Sequence, residues 1–211
     1  ILPANGNLRE IGAEAFAYCG RVQRLELPAQ LTSLSSNAFY GATSLFHITV
    51  ATGNPMLSVK NDALYSGDGI LLYYPAGRTG IYEIASGTEQ IGAYAFAFSG
   101  AKRVVFPESV TYLGNYAFAN SRLQQVAIPA GTQFLGMGAF YGCGSLENVT
   151  FAADSTLAVL PKFVFSNCES LVSINIPNSV TEIGDKAFGY CKSLASVTIP
   201  DSVTEIGASA F

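Results

Sequence analysis

The chain has 211 residues, 49% of them apolar and only 12% charged, with a formal charge of −4. Soluble domains average about 25% charged residues, so this composition excludes disorder and leaves enough apolar surface for a large core. The acidic balance and the scatter of the 11 Lys and Arg residues argue against a nucleic-acid partner, which needs a basic stripe.

No run approaches the roughly 18 apolar residues of a membrane helix. The longest apolar stretch, Gly69 to Tyr74, is too short, and no signal peptide or lipidation motif is visible. No membrane insertion by this segment is expected. The chain opens inside a pattern at Ile1-Leu2-Pro3 and stops inside one at Ala210-Phe211. It therefore reads as an excised piece of a longer protein.

The elements repeat along the chain. Phe16, Phe39, Phe96, Phe118, Phe140, Phe165, Phe188 and Phe211 recur at spacings of 23, 57, 22, 22, 25, 23 and 23, all after Ala except Phe165, which follows Val164. The unit from Leu171 to Phe188 is followed by a close copy from Leu194 to Phe211. Within the unit, Ile174 and Ile176 alternate with Ser173 and Asn175, which is strand periodicity with the isoleucines inward. Pro177 has no N–H to give a neighbour and ends the strand. The same proline stands at Pro28, Pro107, Pro129 and Pro200. Val180 and Ile183 point inward across a second extended segment. Gly184 then implies a positive φ or a close backbone approach, as do Gly12, Gly92, Gly114, Gly136 and Gly207. Ala-Phe follows on a short helical or 3-10 turn, with Phe as the largest plug of each layer. A unit of about 23 residues cannot bury its own apolar face, and stacking at about 4.8 Å per strand lets neighbours cover it.

Three places depart from the pattern. Pro3 to Leu8 is two residues longer than Pro177 to Val180, and two extra residues stand around Ala152 to Ser155, where Leu160-Pro161 also replaces Ile-Gly. The 57-residue gap is the third. Tyr82 and Ile84 fall at the offsets of Ile174 and Ile176, so the pattern resumes at Ile81. Between, at about 51–80, Ala63 to Ser66 and Ile70 to Tyr74 are strand-like around Gly67-Asp68-Gly69, a hairpin signal. An irregular β-hairpin coil that continues the array is expected here. A protruding contact loop is the sharper alternative, with Tyr65, Tyr73 and Tyr74 as contact residues.

The strand L-x-x-I-x-I matches leucine-rich repeats. The fuller pattern I-P-x-S-V-T-x-I-G-x-x-A-F-x-x-C-x-S-L, matched almost position for position by Pro177 to Leu194, resembles the BspA-type repeats of bacterial and protozoan surface proteins. The resemblance spans nearly the whole chain. It implies a single leucine-rich-repeat solenoid over 1–211: α/β class, a right-handed superhelix, mostly β with short helical or 3-10 turns, and parallel strands on one face. It also implies a secreted or surface-anchored protein used in adhesion or protein binding, with no catalytic residue to carry over.

Candidate chemistry is sparse. Cys19, Cys143, Cys168 and Cys191 each lie three residues after a layer Phe, where other units have Ala42, Ser99 and Ser121. A position open to Cys, Ala or Ser wants a small side chain, so buried free thiols are expected ahead of disulfides or metal ligands. His47 is the only histidine and should face outward. No nucleophile elbow, phosphate loop or calcium loop is present, so neither an enzyme nor a cofactor is expected. Asn148-Val149-Thr150 is a glycosylation sequon on an expected strand.

The outward strand positions form the candidate binding surface, since solenoids use their concave side for recognition. They run Glu26, Thr49, Glu83, Val105, Ala127, Thr150, Asn175 and Thr198, preceded by Arg24, His47, Ile81, Arg103, Gln125, Asn148, Ser173 and Ser196. The charged N-terminal half, Arg24, Glu26, His47, Thr49, Glu83 and Arg103, is the chosen contact set. The small polar C-terminal half reads as ordinary exposed sheet. Tyr18, Tyr40, Phe98, Tyr141 and Tyr190 form a second patch that caps the core edge or binds protein or glycan. The expected partner is a host or matrix protein, with a glycan or a purely structural spacer role as alternatives. The chain is expected to be monomeric, with end-to-end contacts through its open ends.

Overall fold

The computed structural model describes residue 2 and residues 6–211. The lengthening expected between Pro3 and Leu8 lies outside the described residues. The chain winds as a parallel-strand solenoid of about nine turns. A regular turn carries a longer strand, a tight turn opened by proline or alanine, a short second strand and an Ala-Phe turn. The longer strands form a two-stranded sheet, Arg24–Leu27 with His47–Val50, and a six-stranded sheet. The latter runs Thr79–Glu83, Gly100–Val105, Gln125–Ile128, Asn148–Phe151, Ser173–Asn175 and Ser196–Thr198. Alternation sets their inward side: Leu25, Leu27, Val104, Val126, Val149 and Ile174 are buried. Five of these strands lead into a proline (Pro28, Pro107, Pro129, Pro177 and Pro200) and three into an alanine (Ala51, Ala85 and Ala152). In each case that residue's carbonyl accepts the N–H three residues on, as Pro177 does from Val180 at 3.0 Å.

Two expectations need correction. Parallel strands lie on two faces, because the second segments pair as well: Gln90–Ile91 with Tyr112–Leu113, Phe134–Leu135 beyond it, and Val159–Leu160, Glu182–Ile183 and Glu205–Ile206 as a further sheet. The described residues also contain no α- or 3-10 helix. The Ala-Phe segment is a run of tight turns. Ala95, Ala97 and Ser99 donate backwards to Gly92, Tyr94 and Phe96, while Phe96 and Phe98 donate forward to Ala117 and Ala119 of the next coil at 2.7 and 2.8 Å. A helix would keep its N–H groups within its own segment. Here alternate N–H groups face the next coil, which requires left-handed residues two before and two after the Phe. Tyr94 and Phe98 (φ 59° and 58°), Tyr116 and Asn120 (54° and 56°) and Lys186 and Tyr190 (50° and 61°) fill these places. Each non-glycine residue there costs about 1–2 kcal/mol, offset by the ladder bonds and by the stacking of the Phe rings.

That stacking forms one column. Ring centroids from Phe96 to Phe118, Phe140, Phe165, Phe188 and Phe211 lie 4.7, 5.2, 5.4, 5.6 and 5.3 Å apart, with planes within 18° of parallel. Full burial of a Phe stabilises by about 1.5–3 kcal/mol, and each aromatic pair adds about 0.5–1.5 kcal/mol.

The interruption is built into the stack. Leu57–Lys60, Ala63–Ser66 and Leu71–Tyr73 form an antiparallel meander, and Leu71 then pairs in parallel with Ile91. The expected hairpin at Gly67-Asp68-Gly69 is present, and the Leu57–Lys60 strand before it was not anticipated. Its two inner strands separate two cores. Leu64 and Tyr73 pack with Leu27, Phe39 and Ile48, whereas Ala63, Tyr65, Leu71 and Tyr74 pack with Ile91 and Phe96. Both faces are buried, which is why these strands lack apolar–polar alternation. Asn54 fixes the entry: its Nδ2 donates to the Pro28 and Leu31 carbonyls at 3.0 Å each, and its Oδ1 accepts from the Met56 and Leu57 amides. Arg78 fixes the exit, with Nε donating to the Phe46 carbonyl at 3.0 Å and its guanidinium 2.9 Å from Asp62.

The recurrent glycine is explained by close approach. A Cβ on Gly136 would stand 2.4 Å from the Gly114 carbonyl carbon and the Asn115 nitrogen. Gly92, Gly114, Gly136, Gly184 and Gly207 also each donate their N–H to the preceding coil. Pro161 can do neither. It has a side chain and no N–H, and the second sheet breaks at this point, between Phe134–Leu135 and Val159–Leu160.

Candidate binding surface

The outward residues of the longer strands fall in the expected register. Arg24 pairs with His47 and Glu26 with Thr49. Ile81, Arg103, Gln125, Asn148, Ser173 and Ser196 form one row, and Glu83 lies opposite Val105. Arg24, Glu26, Glu83 and Arg103 are exposed, whereas His47 and Thr49 are half-buried. The Arg24 guanidinium lies 5.4 Å from the centre of the Phe46 ring. The interruption divides this charged set: the Leu57–Lys60 strand lies against His47–Val50, and Asn61 donates to the Glu83 carbonyl at 3.4 Å. Arg24, Glu26, His47 and Thr49 are thus one group, and Glu83 and Arg103 belong to another.

The face is also hollowed over residues that read as ordinary exposed sheet. A groove of about 320 Å³ lies over the outward sides of Arg103, Gln125, Ala127, Asn148 and Thr150. Ala127, flanked by Val105 and Thr150 on the neighbouring strands, is too short to fill its place. Phe106 and Phe151, half-buried, bound the groove at the strand ends, and the edge of Phe106 meets Phe118 with centroids 5.7 Å apart. Most units have an aliphatic residue at this strand-end position, as at Leu27, Ile128 and Ile176, so the two phenylalanines were a readable signal. The groove offers amide and hydroxyl groups, two ring faces and the charges of Arg103 and Glu108. That chemistry suits non-covalent recognition.

Tyr65, Tyr73 and Tyr74 are not contact residues. They are 1%, 4% and 3% exposed, because Tyr73 and Tyr74 stand in the column of rings and Tyr65 packs in the core beside Leu71 and Ile91. Tyr73 lies on Phe39 at 4.7 Å and Tyr74 on Phe96 at 5.1 Å. The Tyr74 N–H donates to Ala95 at 2.8 Å, the place a layer Phe holds in other coils. The Tyr73 hydroxyl accepts from the Ala76 amide at 3.3 Å, and the Tyr65 hydroxyl from Thr88 Oγ1 at 3.3 Å. Burial raises the Tyr73, Tyr74 and Tyr82 hydroxyl pKa values above the ordinary tyrosine range.

The remaining aromatics continue along the turn face. Tyr18, Tyr40 and Phe98 meet edge to face at 4.9–6.1 Å. Tyr94 stacks on Tyr116 at 5.5 Å, and Tyr116, Tyr141 and Phe163 follow edge to face. Tyr18 and Tyr190 are both 67% exposed, so they do not simply cap the core edge. Tyr94, Tyr116 and Phe163 were missed, because each stands two residues before its Phe at a left-handed position normally read as glycine.

The four cysteines are free thiols, with Cys143 and Cys168 buried and Cys19 and Cys191 partly so. Cys143, Cys168 and Cys191 donate to the carbonyls of Phe118, Phe140 and Phe165 in the preceding coils at 3.1–3.2 Å. They fill small sites and supply a weak bond between layers. Burial raises the Cys168 thiol pKa and pushes Cys191 up to about 11. Among the described residues no group of three or more His, Cys, Asp and Glu side chains is placed to hold a metal ion. No described helix is long and apolar enough to cross a membrane. Asn148 and Thr150 of the sequon are exposed on the Asn148–Phe151 strand.

Comparison with known proteins agrees with this architecture. The model of the BspA type leucine-rich repeat region matches residues 2–70 and 89–211, in six copies. The unmatched stretch holds the end of the interruption and the coil entry after it. A leucine-rich repeat protein from Eubacterium ventriosum superposes with a TM-score of 0.82 at 26% identity, over 98% of this chain and 62% of that one. A leucine-rich cell surface protein from Faecalibacterium prausnitzii gives 0.65 at 28% identity, over 99% and 52%. The pneumococcal vaccine antigen PcpA gives 0.67 at 25% identity, over 96% and 46%. The chain therefore spans less than two thirds of each of these proteins. No curated protein matches significantly. The in-register coils, the recurrent Ala-Phe turn and a family match over most of the length agree: the chain belongs to the BspA-type leucine-rich-repeat family.

Proposed function

We propose that this chain is a non-catalytic, protein-binding segment of a bacterial surface or secreted protein, and that the longer-strand face is its contact surface. The observation that carries this reading is the groove over Gln125, Ala127, Asn148 and Thr150, set in a six-stranded face whose outward side chains are in register and exposed. Rigid strands present those groups with little backbone ordering left to do at binding, so only their side chains lose freedom. A cell surface protein and a vaccine antigen among the similar structures support the surface location. The partner class is a host or matrix protein, and the chain acts as a monomer.

The test is surface plasmon resonance against purified host serum and matrix proteins and a glycan array. Ala127→Tyr, which fills the groove, is compared with Arg24→Ala/Glu26→Ala on the separate N-terminal group. A protein ligand that loses at least about tenfold in affinity with Ala127→Tyr supports the reading, since central groove residues dominate such contacts. A ligand indifferent to both variants removes this face from the account. The near-identity of the units ending at Phe188 and Phe211 favours a spacer as the second reading. Deleting one such unit from the parent protein without loss of adhesion is the outcome that reading requires.

A further inference from the structure

The residues two before each layer Phe form a ladder along the turn face: Glu14 and Asn37 before the irregular coil, and Tyr94, Tyr116, Gly138, Phe163, Lys186 and Ser209 after it. Its two ends differ in charge. At the C-terminal end the chain places its own cations on an aromatic ring, with the Lys162 and Lys186 ammonium groups 5.1 and 5.9 Å from the centre of Phe163. At the other end Tyr40, Tyr94, Tyr116 and Tyr141 surround a hollow of about 290 Å³ with Glu14 and Asn37 on its rim. Glu14 is its one charged lining residue, and among the described residues it enters no ion pair. Asn37 Nδ2 lies 3.5 Å from Glu14 Oε1, so the carboxylate and the amide sit together at the edge of the rings. A Cβ on Gly138 would stand 2.4 Å from the Tyr116 ring, so the absent side chain there lets Tyr116 lean across the gap toward Tyr141.

We propose that this hollow is a receptor for a cationic side chain, a lysine ammonium or arginine guanidinium, of a protein partner. Tyrosine faces carry negative electrostatic potential and draw cations to within about 6 Å, and the Glu14 carboxylate adds a formal charge at the same place. Phe163 shows the same ladder position already used in this way by the chain's own lysines. The carboxylate without a basic lining residue favours a cation over a neutral sugar, which the rings alone would also accept. The partner's class rests on the protein-binding reading, but the site lies on a different face from the groove.

The test is an NMR titration of the ¹⁵N-labelled chain with acetylated tri-arginine amide, with tri-citrulline as its neutral isostere. Chitotetraose serves as the glycan probe. Tri-arginine should shift the amides around Glu14, Tyr94 and Tyr116, and tri-citrulline should bind at least about threefold more weakly. Glu14→Gln should weaken tri-arginine at least about threefold and Glu14→Lys should abolish it, while the remote Glu205→Gln, of equal charge change, should leave it intact. Glu14 is exposed, so these variants keep the fold. Ala127→Tyr should have no effect, which separates this site from the groove. Equal binding of both peptides, equal loss with Glu205→Gln, or binding of chitotetraose alone overturns the proposal.

Discussion

The Tyr74 ring lies on the Phe96 ring with centroids 5.1 Å apart and planes 23° from parallel. Tyr74 therefore serves as the layer phenylalanine of the irregular coil. Its aromatic body matters more than its hydroxyl. Tyr74→Phe is expected to change stability by less than about 1 kcal/mol and Tyr74→Ala to cost about 3–5 kcal/mol. Urea denaturation of both variants checks this. Equal losses would place the hydroxyl, not the ring, at the heart of the coil.

Close approach at the repeat glycine separates two otherwise similar positions. Gly136→Ala drives a methyl into the backbone of the coil before it and is expected to cost about 1–3 kcal/mol. A Cβ on Gly12 meets nothing within 4 Å, so Gly12→Ala should be neutral or slightly stabilising. Thermal melts of the two variants give the comparison.

Arg78 ties the interruption to the coil before it through the Phe46 carbonyl, and its ion pair with Asp62 lies within the interruption. Its ion pair is partly exposed, at 30% and 54% for the two side chains, so most of its effect should come from the bond to the Phe46 carbonyl. Arg78→Ala is expected to cost about 1–2 kcal/mol. Hydrogen exchange should accelerate in 57–66 before it does around Phe140. Arg78→Lys should restore little, since a lysine lacks the second donor of the guanidinium.

The buried hydroxyls and thiols set an alkaline limit. Tyr73, Tyr82, Cys168 and Cys191 all have raised folded-state pKa values, each chiefly through burial. The folded chain keeps protons that the unfolded chain releases above its own thiol and phenol pKa values. Stability is therefore complete below about pH 8.5 and declines as pH rises through the Cys191 value of about 11. The melting temperature should be level between about pH 7 and 8.5 and fall steadily above pH 9. A melting temperature unchanged at pH 11 contradicts the buried state of these groups.

Much of the fold was legible because it is periodic. Ile174 and Ile176 point inward as alternation requires, and the ring column follows from the Phe spacing. What escaped reading depends on contacts distant in sequence. Nothing local marks Asn54 as the residue that reaches Pro28, or Arg78 as the one that reaches Phe46. Tyr73 and Tyr74 looked like surface tyrosines because a strand buried on both faces shows no alternation. The tight turns read as helical because Tyr94 and Lys186 hold left-handed places that sequence reserves for glycine. The register of the outward row was readable, and Phe106 and Phe151 mark the ends of the groove in the sequence, but its depth was not, since it depends on how far Ala127 falls short of its neighbours.

The most direct test of the layered account is the stability of Phe140→Ala by urea denaturation. Phe140 is fully buried between Phe118 and Phe165, at centroid distances of 5.2 and 5.4 Å. A loss of about 3–5 kcal/mol is expected when a ring that fills its layer is removed. A loss below about 1 kcal/mol would contradict the stack, and with it the rigid, in-register face on which the proposed binding rests.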